Sequence, residues 1–211
     1  MKILLTTFLG LFLIASNAYA GLSPELITVR ADWAKIKYKM PEDQRVDALK
    51  DLAERAHAIS QVHPDTAEPM IWEAIVLSTL AGEDSGLGAL SQVKQAKKLL
   101  EQAEKIDPNS LNGSIYTSLG SLYYQVPGWP LGFGDDDKAD EYLKKALAMN
   151  PDGIDSNFFY GDYLMHQGKY QEAIAAFDKA LNAPARPDRP IADAGRKKEV
   201  YAAMAKAKQK L

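Results

Sequence analysis

Two stretches of the sequence repeat the same order of small and large residues: Ala139-Asp-Glu-Tyr-Leu-Lys-Lys-Ala146 and Ala173-Ile-Ala-Ala-Phe-Asp-Lys-Ala180. In each stretch, a large apolar residue (Leu143 or Phe177) lies four positions after the first alanine, and the second alanine lies three positions further on. The two stretches are 34 residues apart. An acidic or amide residue plus proline ends such segments at Asp107-Pro108 and Asn150-Pro151. Repetition at a fixed period predicts a stack of helical hairpins.

Small residues recur where helices of such a stack would cross closely. They are Gly120, Ala139, Ala146, Gly161, Ala173 and Ala180. The larger residues between them would fill the gaps that the crossing helices leave. The pattern therefore predicts an all-α fold in which each hairpin nests against the next.

Proline and glycine clusters divide the chain into hairpins of paired apolar stripes. We expect four antiparallel hairpins at about 23–63, 65–107, 110–150 and 153–183, and a capping helix at about 190–210. The expected fold is an α-solenoid that forms one domain over residues 21–211. The alanines and lysines of the last segment are typical of an exposed end cap, with basic residues at the negative end of its helix dipole.

The first 20 residues have the layout of a secretory signal peptide. Lys2 precedes an apolar run from Ile3 to Ala15, and Ala18-Tyr-Ala20 supplies small residues for cleavage before Gly21. A retained membrane anchor is the alternative, but the run is shorter than the roughly 20 apolar residues that span a bilayer. We expect export across the inner membrane, to the periplasm of a Gram-negative bacterium, and no membrane-embedded segment after cleavage.

Composition argues against several classes of function. The formal net charge of −3 gives no electrostatic reason to bind nucleic acid. The chain has no cysteine, so neither disulfides nor a lipid-modified cysteine are available. Its three histidines lack metal-ligand spacing, and motifs for phosphate binding or nucleophilic catalysis are missing. We expect no enzyme activity, no cofactor and no metal site.

The third and fourth hairpins resemble the tetratricopeptide repeat family. That family's pattern has a tryptophan, then Leu-Gly, a tyrosine, Ala-x3-Phe and a proline over 34 residues. The matching positions are Tyr116 in place of tryptophan, Leu119-Gly120, Tyr123, Ala139, Leu143, Ala146 and Pro151, and then Tyr160-Gly161, Leu164, Ala173, Phe177 and Ala180. The second hairpin fits more loosely, through Trp72, Ala96, Leu100, Ala103 and Pro108.

The resemblance implies that the first helix of each hairpin lines a concave groove. Carried over to this chain, it assigns ligand contacts to polar and aromatic residues of the third and fourth hairpins: Thr117, Ser121, Tyr124, Asp155, Phe158, Asp162, Met165 and His166. Phe158 and Asp162 are four residues apart and Asp155 and Asp162 seven, so the three share one helical face. Two carboxylates beside aromatic rings suit a cationic ligand; alternatively, the rings belong to the core and the carboxylates are solvated.

The glycine- and proline-rich loop from Val126 to Gly134 is a second candidate site. Trp129 and Phe133 in this loop are either exposed binding anchors or covers for the gap that the insertion creates. The following run Asp135-Asp136-Asp137 lacks the spacing of a calcium loop and better suits a helix cap.

Two functional hypotheses follow. In the first, the chain is a periplasmic scaffold that holds a protein or peptide segment in its groove. In the second, the strings Pro127–Gly134 and Asn157–Asp162 resemble secreted tetratricopeptide proteins associated with TRAP-type solute transport. That resemblance implies an accessory subunit that binds a small solute in a pocket closed by the inserted loops. Self-association through an end hairpin is compatible with either hypothesis.

Overall fold

The computed structural model describes residues 22–84, 86 and 88–211, and these residues form nine α-helices and one short 3₁₀ helix. The α-helices are α1 Pro24–Lys39, α2 Glu42–Val62, α3 Ala67–Glu83, α4 Ala89–Ile106, α5 Ser114–Gln125, α6 Asp136–Met149, α7 Ile154–His166, α8 Tyr170–Leu181 and α9 Pro190–Lys208. The 3₁₀ helix Ser110–Gly113 precedes α5. The expected signal peptide, with its cleavage site at Ala20 and Gly21, lies outside the described residues.

The predicted fold class is confirmed. Consecutive helices pack as the pairs α1–α2, α3–α4, α5–α6 and α7–α8, and α9 packs on the last pair. The first helices of the pairs contact each other in the order α1, α3, α5, α7 and so form the inner wall of the stack. None of the described helices is both long and apolar enough to cross a lipid bilayer.

Local signals in the sequence set several helix ends. The Ser23 hydroxyl accepts a hydrogen bond from the Leu26 amide at 3.3 Å, and Pro24 occupies the first turn of α1. The Asp135 carboxylate accepts one from the Lys138 amide at 3.1 Å and caps α6. Gly168 has a φ of 72°, a left-handed conformation that costs glycine little and allows the short turn between α7 and α8.

The recurring small residues lie at helix crossings. Ala139, Ala146, Ala173 and Ala180 are fully buried. A Cβ atom added to Gly161 would lie 2.6 Å from a ring carbon of Phe177, so α7 approaches α8 more closely than a side chain would allow. Among the described residues, four apolar clusters follow one another along the stack, and partly buried residues such as Ile75, Tyr142 and Phe159 connect neighbouring clusters.

The last helix does more than cover the end of the stack. α9 contacts α7 and α8 on one side and α1 on the other. A Cβ atom on Gly195 would lie 2.2 Å from the Tyr38 ring, so the backbone of α9 rests directly on this residue of α1. The exposed face expected for this helix is present at Tyr201, but its other face joins the two ends of the solenoid.

A comparison of two glycines tests the close packing of α7 on α8. Alanine at Gly161 meets the Phe177 ring, and overpacking of this kind costs about 1–3 kcal/mol. Alanine at Gly82, the control, meets nothing within 4 Å and gains about 0.5–1 kcal/mol of helix propensity. We expect Gly161→Ala to lower the free energy of unfolding in urea and Gly82→Ala to leave it equal or higher. Equal effects of the two substitutions would contradict the packing argument.

Candidate functional site

The inner wall borders a partly open cavity of about 570 Å³, here called the inner cavity. Helices α1, α3, α5 and α7 supply most of its lining, and Leu22, Asn150, residues 111–112, residues 186–189 and α9 supply the rest. A volume of this size is typical of sites for drug-sized ligands. Residues 186–189 and α9 lie across the open side of the solenoid groove, so they limit the size of a ligand that can bind.

The segment between α8 and α9, together with α9 itself, closes the cavity by reaching back to α1. Asp188 forms an ion pair with Arg30 of α1 at 2.9 Å. The Tyr38 hydroxyl donates a hydrogen bond to Glu199 of α9 at 3.1 Å, and burial raises the pKa of Tyr38 well above its usual value. The first and last hairpins are thereby linked across the cavity.

A compact ion cluster fixes the closing segment to the inner wall. Asp155 at the start of α7 accepts hydrogen bonds from Arg186 at 2.8 Å and from Arg196 at 2.9 Å. Arg186 also pairs with Asp193, and Arg196 with Glu199 at 2.7 Å. Burial alone would raise the pKa of Asp155, but the guanidinium groups of Arg196 and Arg186 outweigh it and hold that pKa far below its usual value.

Aromatic rings form the apolar part of the lining. Trp33 and Trp72 meet edge to face with ring centres 5.9 Å apart, and the Trp33 indole N–H donates to the Thr79 hydroxyl at 2.8 Å. The Arg196 guanidinium lies 4.4 Å from the ring centre of Phe158, and the Arg189 guanidinium lies 5.4 Å from that of Trp72. Stacking of this kind holds a cation while leaving its N–H groups available to other partners.

Hydroxyl groups form the polar part of the lining. They belong to Ser78, Thr79, Ser114, Thr117, Ser118 and Ser121. Except at Ser118, each hydroxyl donates to a carbonyl three or four residues earlier in the chain. A hydroxyl whose proton is used in this way still accepts hydrogen bonds, so this wall favours a ligand that carries N–H groups.

Backbone strain occurs beside this wall. Leu111 and Asn112, which line the cavity, have φ values of 51° and 48°. Such a left-handed conformation costs a residue with a side chain about 1–2 kcal/mol. Strain of this kind persists only where the surrounding structure enforces it, and it is concentrated at functional sites.

The candidate residues predicted on α5 and α7 have three different placements. Thr117, Ser121, Asp155, Phe158 and Asp162 line the inner cavity. Tyr124 lies behind them, buried, and its hydroxyl donates to Asp162 at 2.7 Å. Met165 and His166 lie outside the lining: Met165 packs on the α7–α8 core, and His166 is 3.5 Å from Asp136. Because Asp155 is already neutralised by two arginines, Asp162 is the member of the predicted carboxylate pair left for a cationic group.

The loop from Val126 to Gly134 does not reach the inner cavity. Phe133 packs edge to face on Tyr123, with ring centres 5.7 Å apart, beside Lys97 of α4. Trp129 keeps 90% of its accessible surface. Phe133 therefore covers the gap that the insertion creates, which is one of the two roles considered for the loop. Trp129 is exposed to solvent and lies away from the cavity.

The sequence interpretation did not identify the arginines of the closing segment. Three of the six arginines of the chain, Arg186, Arg189 and Arg196, fall within eleven residues of the C-terminal part. This cluster of arginines beside three prolines is the sequence signal that could have indicated a binding segment, because arginine is favoured where planar anionic groups are bound. From the sequence, Trp72 was assigned only to the repeat pattern of the second hairpin, and Arg30 was not singled out.

Acidic and histidine residues do not gather into a metal site in the described part of the chain. Asp135 serves as a helix cap. His57 bonds the buried carboxylate of Glu73 at 2.9 Å, and Gln95 and Ser60 donate to the same group. This carboxylate thus has its hydrogen bonds satisfied within the α2–α3–α4 core.

Substitution of Asp155 tests the ion cluster. Asp155→Asn leaves Arg186 and Arg196 without their shared charge, and losing charge-assisted hydrogen bonds in a partly buried cluster costs about 1.5–3 kcal/mol. We expect this loss in urea unfolding at pH 7, whereas the exposed control Asp178→Asn changes little. Because the folded-state pKa of Asp155 lies below its unfolded value of about 3.9, the stabilisation is present above that pH and declines as the pH falls below it. A difference between Asp155→Asn and wild type that stays constant down to pH 2 would contradict the cluster.

Comparison with known proteins finds a known repeat in part of the chain and a shared fold over most of it. Residues 131–190 match the tetratricopeptide repeat model. A solved structure described as TTC0263, a thermophilic TPR protein in Thermus thermophilus, is similar at a TM-score of 0.58, with 17% identity over 78% of each chain. A structure of MamA AMB-1 gives a TM-score of 0.43, with 20% identity over 87% of this chain and 90% of that chain. Among curated proteins, none matches the sequence.

At this level of identity the similarity to TTC0263 concerns the fold alone. The sequence match covers α6, α7 and α8, where the small residues recur at the expected spacing. The four stacked hairpins extend the same arrangement towards the N-terminus. The match over residues 131–190 and the hairpin stack together show that this chain has the fold of a tetratricopeptide repeat solenoid.

Proposed function

We propose that this protein is an exported, non-catalytic binding protein that holds a short peptide segment in the inner cavity. Tetratricopeptide repeats generally provide concave surfaces for other proteins. The observation that carries the proposal is the closure of this surface by residues 186–189 and α9 into a space of about 570 Å³. A bounded space of this size accommodates a short peptide and excludes a folded domain.

The lining has the chemistry that a peptide requires. The hydroxyl wall of α3 and α5 offers acceptors to backbone N–H groups, and the rings of Trp33, Trp72 and Phe158 offer apolar contact to side chains. Charged groups of the lining would orient the bound peptide. Most lining residues are polar or charged, and a peptide backbone supplies the donors and acceptors with which such a lining pairs.

A small solute is the second candidate ligand, and the limited volume of the inner cavity is the observation that favours it. A small solute would suit an accessory role in solute transport. The hydroxyl wall favours the peptide, because a row of acceptors spaced along α3 and α5 matches repeated N–H donors better than a single compact solute does. The identity of the bound compound decides between the two.

Export is the other part of the proposal. The layout of residues 1–20 supports cleavage between Ala20 and Gly21 and a periplasmic location. We expect the full-length chain, expressed in a Gram-negative host, to be released by osmotic shock with Gly21 at its N-terminus by mass spectrometry. Retention in the membrane fraction with an intact N-terminus would favour the anchor instead.

Filling the inner cavity tests the binding function. Ser118→Trp places an indole among the hydroxyls of α5, whereas Ser91→Trp, the control, adds the same group on the exposed side of α4. Each protein is purified natively and denatured, and the compounds released are identified by mass spectrometry. We expect peptides from wild type and Ser91→Trp, and at least about tenfold less from Ser118→Trp, since a blocked site forfeits its contacts.

Binding is checked independently by thermal unfolding, since a ligand that binds the folded state raises the midpoint. Equal recovery of peptides from Ser118→Trp and wild type would place binding elsewhere on the protein. Recovery of a non-peptide solute from wild type would support the second candidate. Absence of any released compound, together with an unchanged midpoint in peptide mixtures, would overturn the proposal.

A further inference from the structure

Charges around the inner cavity pair with one another almost completely. Arg30 pairs with Asp188, Lys37 with Glu83, and Arg186 and Arg196 share Asp155 while also contacting Asp193 and Glu199. Among the described residues, two lining charges remain outside these ion pairs: the guanidinium of Arg189 and the carboxylate of Asp162. They are of opposite sign.

Arg189 has an N–H donor that lacks an acceptor within the described part of the chain. Its guanidinium lies over Trp72, and its Nε–H is buried without an acceptor among the described residues. The indole N–H of Trp72 is also buried without an acceptor. Burial lowers the pKa of Arg189, with the nearby Asp155 carboxylate opposing that change. Arg189 lines the inner cavity and has no ion-pair partner among the described residues, and a guanidinium in this position favours an anionic group of a ligand.

Asp162 provides the opposite charge further along the wall. Its carboxylate is half-buried and accepts a hydrogen bond from Tyr124, whose hydroxyl in turn accepts one from Gln125 at 2.9 Å. One oxygen is thereby oriented, and the negative charge stays uncompensated. A half-buried carboxylate in this setting favours an ammonium group.

The two unpaired charges belong to different elements of the lining. Arg189 lies in the segment between α8 and α9, and Asp162 lies on α7. A ligand that contacts both must carry an anionic and a cationic group, and a peptide with free ends carries one of each.

We infer that the inner cavity binds short peptides with free ends, with the terminal carboxylate at Arg189 and the terminal ammonium at Asp162. This inference rests on the proposed peptide-binding function and names its ligand class. The hydroxyls of α3 and α5 accept hydrogen bonds from the peptide N–H groups, and the aromatic rings contact side chains of varied type. Recognition at both ends selects free termini rather than sequence.

Blocked peptides test this assignment directly. A synthetic tripeptide mixture is prepared in four forms, which are free, N-acetylated, C-amidated and doubly blocked, beside a doubly blocked nonapeptide mixture. Retention on the purified mature protein is measured by affinity selection and mass spectrometry. We expect each single block to reduce retention at least about tenfold, because one charge-assisted contact is lost.

Two variants assign each end to its partner. Arg189→Gln is expected to bring the preference for free over C-amidated peptides below about twofold while keeping the preference over N-acetylated peptides. Asp162→Asn is expected to have the reverse effect. The control Arg55→Gln removes an exposed arginine outside the cavity and leaves both preferences intact. A folding defect cannot produce this reciprocal pattern, since it would reduce the retention of all forms together.

The outcomes separate this inference from the proposed function. Equal retention of free and blocked tripeptides, or preferential retention of the nonapeptides, would overturn recognition of both ends and leave peptide binding standing. Preferences that survive in both variants would also overturn the inference. Retention of none of the mixtures would overturn the proposed function and the inference with it.

Discussion

The interaction on which the inner cavity depends is the bridge from Asp155 to Arg186 and Arg196. Helical hairpins stacked through small residues form a curved wall, and a wall by itself is open on one side. The bridge attaches the segment before α9, and α9 itself, to the first turn of α7. Because the carboxylate binds two guanidinium groups at once, a single residue holds both parts of the closing element in place.

The bridge is effective because local packing supports it from the opposite side. Gly195 allows the backbone of α9 to rest on the Tyr38 ring, which fixes the depth at which α9 crosses α1. Glu199 accepts hydrogen bonds from Tyr38 of α1 and from Arg196 of α9, and Arg196 in turn binds Asp155, so the contact with α1 is linked through Arg196 to α7. Removal of either contact would leave the other with an incompletely paired buried group, which makes closure a cooperative property of the C-terminal part.

The repeat pattern was sufficient to predict the stack but not its closure. The recurring small residues, such as Ala139 and Ala173, mark crossings between neighbouring helices, and the spacing of such crossings depends only on helix geometry. This local pattern was enough to predict stacked hairpins. It also indicated which residues face inward: Thr117, Ser121, Asp155, Phe158 and Asp162. Closure depends on contacts between residues that are 161 positions apart, as between Tyr38 and Glu199. No periodicity encodes such a contact. The position of Trp129 was open for a related reason, since a loop side chain is placed by whichever surface it meets.

The closing segment is attached unevenly, and this bears on how a ligand enters. At its base, Asp193 accepts hydrogen bonds from both the backbone amide and the side chain of Arg186, at 2.8 Å and 2.7 Å. At its tip, the pair between Arg30 and Asp188 is formed by an aspartate that is 60% exposed. Exposed ion pairs contribute at most about 1 kcal/mol, so the contact of Arg189 with Trp72 accounts for most of the attachment at the tip. Under the proposed function, a ligand would enter by release of this tip, without unstacking of hairpins or loss of the Asp155 bridge.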